Sequence, residues 1–540
     1  MGQQYNGNIL SLEELEHHKE RIRDRYHRSL LEHFKIEPRR SNRGILSLGG
    51  EIEFKFTKGG KLSPDFESIK AIVGEDISPE ILQCDGEVKN SAHNLITPST
   101  SLDQAVDIIH DLFEPVYKAA RQLGSDITLF SGHPAFTEEI SQSMLSKGLR
   151  YRTLAEMMSP LARPAVISYA DGHNEIIRGL NWEGFGSSQQ TTIKVEHHMA
   201  GFYYDAANIM GPLFMAVSAA SPFVDRKATN YNSTRNIILP PASYGFSEEE
   251  FKSGRPGRWR AFNPLTIKST PAFFDHELYQ KLVAANVELP IAKYFAQLSP
   301  DGHLLVTEED LFGEQKDFPK ATSWPWVQLQ TGRFDEKYKI MDDYGIGLET
   351  RFGETMTTPE EIASYYLTWA AALEGLAQEV AQKNIYALPA EQVEENIRIC
   401  SDKRSNKYKE VYWPNRNGSP RKKLADCFYQ IGTFAVDNLR RHGHEESEIK
   451  DIVNPILTKA GIIYRGNNQL QYLSKPEPTP AEQMRAIAFK HQPGAYLGKE
   501  LHQETISAIE EQFHYKGRSY DKFLAPVSER KSEYQSSCAE

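Results

Sequence analysis

The chain has 540 residues, of which 39% are hydrophobic, 25% charged and 11% aromatic. This composition is that of an ordinary globular enzyme, and it excludes collagen, a coiled-coil rod and a wholly disordered chain. The formal net charge of −11 argues against a general nucleic-acid binder, although it leaves room for a local basic patch.

The sequence shows no pattern of membrane insertion or export. It contains no apolar run of about 18 residues, and its start, MGQQYNGNIL, lacks a signal peptide. Asn6 also stands where a myristoylation motif would have Ser or Thr. The four cysteines form no CxxC pair and indicate neither a zinc site nor a disulfide framework. We therefore expect a cytoplasmic protein with no membrane contact.

Predicted helices and strands alternate up to about residue 385, and helices dominate after it. Helices are predicted at 11–34, from Ser101 onwards, at 205–220 and from Thr358 to about 383. Strands are predicted at 45–56, 80–98 with a turn at Asp85-Gly86, 126–130, 164–169 and Ile346–Phe352.

Acidic side chains at strand positions are the most informative feature. Glu51 and Glu53 are two residues apart in ILSLGGEIEFKF, so both leave the same face of one strand, roughly 5–7 Å apart. Two like charges repel on a half-buried face, and a divalent cation or a pair of basic residues removes that cost. Oxygen-rich clusters of this kind suit Mg²⁺ or Mn²⁺. The alternative is a solvated strand face.

Three further glutamates fall in strand-like contexts beside basic residues. They are Glu87, Glu196 and Glu349, next to Lys89, Lys194 and Arg351. Several acidic strands lining one face would hold two or three cations and a nucleoside triphosphate. No phosphate-cradling loop, GxGxxG, HExxH or GxSxG motif occurs in a useful context, so Lys and Arg side chains with cations would have to hold ATP.

His133 in SGHPAF is a candidate ligand or substrate donor, although a loop histidine is more often only hydrogen bonded. His197 and His198 are adjacent and would face opposite sides of a strand, so both cannot bind one metal ion.

The order of these segments resembles the glutamate–cysteine ligase superfamily through most of residues 44–380. LGGEIEF resembles the first acidic strand of that family, SGHPAF its G-T-H-P-F segment, and GLETRF its terminal T-L-E-x-R strand. HNLITP, which follows Glu87, resembles E-L-x-T-P, and RYRTLAEMM resembles the short helix after the histidine segment. FMAVSAASPFVDRKATNYNSTR (214–235) is the most specific match, since it resembles L-A-L-S-A-S-S-P-F followed by S-x-R.

The resemblance implies an α+β fold in which a curved, mainly antiparallel sheet forms an active-site cleft and is flanked by helices. It implies a catalytic domain at 1–384. The resemblance does not extend to the rest of the chain, where the sequence pattern predicts a mainly helical C-terminal region at 385–540 with a basic segment at 401–423. The implied reaction is an ATP-dependent ligation, in which a carboxyl group, by analogy the γ-carboxyl of glutamate, is activated as an acyl phosphate and joined to an amine.

The resemblance also implies roles for individual residues. Glu51, Glu53, Glu87 and Glu349 would bind the active-site cations. Arg351 would touch the transferred phosphate or the activated carboxylate, and Arg235 a substrate carboxylate or a phosphate.

Two positions depart from the family pattern. Asn94 stands where a glutamate ligand is usual, and Glu196 or Lys194 stands where a histidine ligand is expected. The carboxylate of Glu196 could offset the one lost at position 94. We therefore expect a metal site that includes Asn94 and Glu196, and a nucleotide held by Lys194, Arg235, Arg351 and His133.

The amine acceptor is left open by the sequence. Cysteine is the acceptor by analogy, and another small or macromolecular amine is the alternative. The segment 401–423 has eight basic and two acidic residues with interleaved aromatics, so it is either a solvated surface or a docking patch for an acidic macromolecule. Two other functions compete: a catalytically silent ligase-fold binding protein, and a phosphotransferase of the guanidino-kinase type.

Overall fold

The structure is a computed structural model that describes most of the chain. The described residues are 10–34, 45–90, 96–159, 162–242, 262–267, 274–298, 325–330 and 345–518. The helices are α1 (Leu12–His17), α2 (Lys19–His33), α3 (Phe66–Val73), α4 (Leu102–Gln122), α5 (Glu138–Ser143), α6 (Leu149–Met158), α7 (Ala200–Ser218), α8 (Arg235–Ala242), α9 (His276–Ala284), α10 (Leu289–Leu298), α11 (Pro359–Ala381), α12 (Ala390–Ser401), α13 (Leu424–Arg441), α14 (Glu446–Leu457), α15 (Pro480–His491) and α16 (Gln503–Phe513).

The strands follow the same chain order. They are β1 (Ile45–Lys58), β2 (Lys61–Leu62), β3 (Ser78–Pro79), β4 (Asp85–Lys89), β5 (Asp126–Thr128), β6 (Ala165–Ser168), β7 (Asn174–Ile177), β8 (Gln189–Val195), β9 (Phe223–Val224), β10 (Lys227–Ala228), β11 (Val327–Gln330), β12 (Ile346–Thr350), β13 (Glu410–Tyr412), β14 (Arg421–Lys423), β15 (Ile462–Tyr464) and β16 (Leu470–Tyr472).

One eight-stranded antiparallel sheet organises the part of the chain between Ile45 and Thr350. Its strand order is β11-β12-β8-β1-β4-β3, and β2 and β5 pair with the far end of β1. Strand β1 is the centre because its 14 residues are long enough to pair with β8 near its start and with β4 and β5 further along. The predicted fold class, a curved antiparallel sheet flanked by helices, is confirmed.

Alternation along β1 divides the sheet into an apolar and a polar face. Ile52, Phe54 and Phe56 are buried, whereas Glu51 and Glu53 project from the opposite face. The apolar face packs against the helices α4, α7 and α11. The side chains of Glu51 and Glu53 therefore project away from these helices.

Local sequence explains the helices beneath the sheet. Thr358 caps α11 by accepting a hydrogen bond from the backbone N–H of Glu361 (3.2 Å), and Pro359 occupies the first helical position. Helix α7 is buried along almost its whole length, as its lack of charge predicted. Gly211 of α7 lies against Phe352, because an added Cβ would come within 2.0 Å of that ring.

The Asp85-Gly86 dipeptide, predicted as a turn, instead begins strand β4. Gly86 lies opposite Phe54, and a Cβ at position 86 would come within 2.9 Å of the Phe54 ring. The glycine therefore makes room for an aromatic side chain across the strands, a tertiary contact that local turn propensity cannot anticipate. The predicted strand at 80–98 is in fact a strand only at Asp85–Lys89, with an isolated bridge at Ile96.

The region after residue 385 is mainly helical, with two hairpins formed by β13–β14 and β15–β16. Its helices α13 and α14 pack on α11, and the main hydrophobic core includes residues from both sides of the predicted boundary, such as Leu376 and Phe428. The boundary at 384/385 stays a prediction. None of the helices in the described ranges is both long and apolar enough to cross a bilayer.

Candidate active site

Strand register brings the predicted acidic residues to one face of the sheet. Glu53 lies directly opposite Glu87 in the β1–β4 pair, and Glu51 lies opposite Lys89. On the other side of β1, Gln190 of β8 lies opposite Glu51, and its side-chain amide donates to Glu53 Oε1 at 2.8 Å. Directly opposed residues in antiparallel strands project from the same face, so these side chains share one cleft.

Three carboxylates in this cleft are close enough to share one cation. Glu53, Glu80 and Glu87 each offer an oxygen atom within 4.8 Å of the others. Glu80 follows β3, in which Ser78 pairs with Glu87, so the short strand β3 carries Glu80 to the cluster. Sequence reasoning missed Glu80, because only the pairing of a two-residue strand places it there.

Lys89 lies between two of the carboxylates and partly neutralises them. Its Nζ is 2.8 Å from Glu51 Oε1 and also contacts the carboxylate of Glu87. Burial would raise the pKa of Glu51, but the Lys89 ammonium outweighs it and holds that pKa below its usual range. Burial raises the pKa of Glu87 to about 8, and the Glu51 carboxylate adds to the rise.

These charges fit a divalent cation. Burial and the neighbouring carboxylate of Glu51 together favour the protonated form of Glu87 when no ion is bound. An all-oxygen set of carboxylates is the ligand chemistry that Mg²⁺ and Mn²⁺ prefer, and a bound ion would remove the repulsion. The residues present therefore suit the predicted metal, with Glu53, Glu80 and Glu87 as its holders.

Glu349 and Arg351 extend the polar face towards β11. The Glu349 carboxylate contacts the guanidinium of Arg351 and the side-chain amide of Gln330, and Arg351 Nη2 donates to Gln328 Oε1 at 3.0 Å. Burial raises the pKa of Glu349, and the charge of Glu51 adds to the rise, so the two carboxylates interact across the cleft. Sequence reasoning missed both glutamines, which hold the ion pair in place.

Arg235, the first residue of α8, is buried next to the metal cluster. Its side chain packs on Gly186, where an added Cβ would lie 2.4 Å from Arg235 Cγ. Nη1 donates to the backbone oxygen of Arg351 and to Asn236 Oδ1, each at 3.3 Å, while the buried Nε has no hydrogen-bond partner among the described residues. Burial lowers the pKa of Arg235. A buried guanidinium with an open donor suits an anionic group of a substrate.

Glu354 is a further residue that sequence reasoning missed. It is fully buried, and it accepts hydrogen bonds from the backbone N–H of Ala220 (2.6 Å), from Ser221 Oγ (3.0 Å) and from Ser233 Oγ. Ser221 Oγ in turn accepts from the backbone N–H of Arg235 at 3.1 Å. This network fixes the start of α8, and with it the position of Arg235.

The structure does not bring all the predicted ligands to the cluster. Glu196 follows the end of β8. It lies six residues beyond Gln190 and hence roughly 20 Å from it along the strand. Its carboxylate lies 3.3 Å from Nδ1 of His198. Lys194 shares the polar face of the sheet but lies four residues beyond Gln190 along β8. Asn94 lies outside the described residues.

His133 is fully buried and has no free ring nitrogen. Its Nε2 lies 2.7 Å from Glu510 Oε1, and its Nδ1 accepts from the backbone N–H of Ala135 at 3.1 Å. This geometry is that of a hydrogen-bonded loop histidine, which the sequence offered as the alternative to nucleotide binding. The contact with Glu510, 377 residues away, carried no local sequence signal.

Comparison with known proteins agrees with this architecture. The family match places the protein in the class of carboxylate–amine ligases. The model of glutamate-cysteine ligase family 2 (GCS2) matches residues 48–382, more than half of the chain, and the protein therefore belongs to this family. No curated protein matches the sequence.

Solved structures are similar to this chain at low sequence identity. The glutamate–cysteine ligase of Francisella tularensis, solved in complex with AMP, is 11% identical, with a TM-score of 0.51 over 92% of this chain and 93% of that one. A bifunctional glutathione synthetase from Pasteurella multocida is 11% identical with a TM-score of 0.47; the match covers 94% of this chain but only 55% of that protein. The complex of the ubiquitin-like protein Pup with its ligase PafA gives a TM-score of 0.39 at 9% identity.

Proposed function

We propose that this protein is an ATP- and Mg²⁺-dependent carboxylate–amine ligase, with Mn²⁺ as the alternative ion. Its substrate would be the γ-carboxyl group of glutamate, activated as an acyl phosphate and joined to cysteine or to another small or macromolecular amine. The observation that carries the proposal is the convergence of Glu53, Glu80 and Glu87 on one sheet face, near the buried Arg235 and the largely buried Arg351. Within the described ranges, Cys84, Cys400 and Cys427 are buried free thiols, which supports a cytoplasmic location.

The chemistry divides into two displacements. An oxygen of the substrate carboxylate attacks the γ-phosphorus of ATP, and ADP leaves with the electrons of the broken P–O bond. The amine nitrogen then attacks the carbonyl carbon of the acyl phosphate, loses a proton, and inorganic phosphate leaves. A bound divalent ion would supply charge neutralisation on the phosphates.

The protein's own residues have distinct tasks in this scheme. Glu53, Glu80 and Glu87 would hold the ion, together with Glu51 or Glu349 where a second ion binds. The Arg351 guanidinium would stabilise charge on the transferred phosphoryl group, because its position is fixed by Gln328 and Glu349. Arg235 would bind a carboxylate or phosphate oxygen through its open Nε.

The test is a screen for phosphate and ADP release from ATP with glutamate and a panel of amines, in Mg²⁺ and in Mn²⁺. We expect release that requires glutamate, one amine and a divalent ion, and an amide product of matching mass. Reversible phosphoryl transfer to a guanidine without amide formation would assign the protein to the guanidino-kinase type instead. Absence of both turnover and ATP binding would refute the ligase.

A second candidate function uses the basic segment 401–423 as a docking patch for an acidic macromolecule. Tyr408 is 68% exposed with Lys407 Nζ 5.9 Å from its ring centroid, and the guanidinium of Arg421 lies 4.9 Å from the ring centroid of Tyr412. Exposed cations beside aromatic rings favour such a partner. Salt-sensitive binding that survives Glu51→Gln combined with Glu53→Gln, without any turnover, would favour a silent binding protein.

A further inference from the structure

A small hydrophobic core, separate from the main one, joins helices α15 and α16 to two loops beside the cleft. The helices lie outside the part of the chain that matches the ligase family, whereas both loops lie inside it. The loops contribute Phe130, Ala135, Ala220, Phe223 and Ala228, and the C-terminal segment contributes Met484, Ala488, Ala495, Leu501, Ile506, Ile509 and Phe513. The helix pair is thus packed on the loops, and the backbone at the end of α16 also pairs with strand β5 through a bridge between His514 and Thr128.

Arg485 of α15 ties the helix pair to the loop that leads to Arg235. Its Nη2 donates to the backbone oxygens of Thr229 (2.9 Å) and Tyr231 (2.6 Å). The same helix donates from the backbone N–H of Ala481 to the oxygen of Ala219 at 2.8 Å, close to the hydrogen bonds of Glu354. Two loop carbonyls held by one guanidinium fix the backbone four residues before Arg235.

Glu510 of α16 ties the helix pair to the other loop. Glu510 and His133 are both almost fully buried, and the imidazole Nε2 donates to the Glu510 carboxylate because Nδ1 already accepts from Ala135. The same loop reaches the cleft through Gly132, which forms a bridge with Gly186, the residue on which Arg235 packs. Both loops held by the helix pair therefore meet at Arg235.

We propose that helices α15 and α16 form a clamp that sets the position of Arg235 in the active site, with Arg485 and Glu510 as its positioning residues. This inference rests on the proposed function in so far as Arg235 binds a substrate anion. The clamp itself, a mechanical link between the C-terminal helices and two loops, is independent of the identity of the substrate.

Amide hydrogen exchange tests the link without any substrate. In Arg485→Met we expect the amides of residues 229–236 to exchange on the order of tenfold faster, because one charged donor to two carbonyls is lost. Exchange in Pro359–Ala381 should stay unchanged. The matched control is Lys293→Met, since Lys293 Nζ holds the backbone oxygens of Pro264 and Ile267 in a loop without predicted site residues. Unchanged exchange at 229–236, or an equal rise along the chain, would overturn the clamp.

Steady-state kinetics with the full-length protein test the consequence. Glu510→Ala should raise KM for the carboxylate substrate on the order of tenfold, whereas Glu510→Gln, which can still accept from His133, should restore it. A loss in Glu510→Ala that follows only the fraction of folded protein, with KM unchanged, would refute the positioning role. If the wild-type protein shows no ligase activity, the proposed function fails, but the exchange experiment still decides the clamp.

Discussion

Replacing Glu87 by glutamine should stabilise the metal-free protein. Burial and the neighbouring Glu51 carboxylate raise the pKa of Glu87 to about 8 in the folded chain, whereas an unfolded glutamate titrates near its ordinary value of 4.5. The folded state therefore holds a proton that the unfolded state has released between these pH values. Below about pH 4.5 Glu87 is protonated in both states and does not lower the free energy of unfolding. As the pH rises from there to about 8, the free energy of unfolding falls.

The size of the effect follows from the shift. Each pH unit between these values lowers the free energy of unfolding by at most about 1.4 kcal/mol, so the upper limit of the loss at pH 8 is roughly 5 kcal/mol. Since glutamine cannot ionise, Glu87→Gln should match the wild type near pH 4.5 and exceed its stability by a few kcal/mol at pH 8. With a bound divalent ion the wild type should instead be more stable than Glu87→Gln, because the wild-type carboxylate then has a cation to bind.

Urea unfolding followed by circular dichroism, at several pH values between 4.5 and 9, measures this directly. One series contains a chelator and the other Mg²⁺. A metal-free Glu87→Gln protein that is less stable than the wild type at pH 8 would refute the electrostatic reasoning. Equal stabilisation of both proteins by Mg²⁺ would refute the role of Glu87 as a ligand.

Three further substitutions probe other parts of the site. Glu53→Gln should lower the rate of phosphate release by a factor of roughly 10²–10³, because an ion ligand is lost. The control is Glu75→Gln, an exposed position, which should leave the rate unchanged. Similar rates in the two variants would contradict the metal site. Glu354→Leu should cost on the order of 3 kcal/mol of unfolding free energy, measured in urea, because three buried donors lose their acceptor, and a change below about 0.5 kcal/mol would count against the network. His133→Leu should destabilise the fold by about 1–3 kcal/mol in the same assay, because Glu510 and the backbone N–H of Ala135 both lose a buried hydrogen-bond partner; a change below about 0.5 kcal/mol would contradict this role of the imidazole.

The sequence by itself determined the central strand and the facing of its side chains. The alternation of Glu51, Ile52 and Glu53 is a local property with a period of two, so the acidic face could be inferred before any pairing was known. The same holds for α11, whose capping Thr358 and initial Pro359 are local signals. The order of motifs likewise placed the chain in its family.

Only the tertiary structure decided which distant groups meet on that face. Glu80 enters through the pairing of a two-residue strand, and Glu354 and Glu510 acquire their roles from partners more than 100 residues away. The distance of Glu196 from the cluster follows from the register between β8 and β1, which no local signal gives. Register, burial and long-range charge are properties of the packed chain, and the protonation of Glu87 exists only once that packing has removed its water.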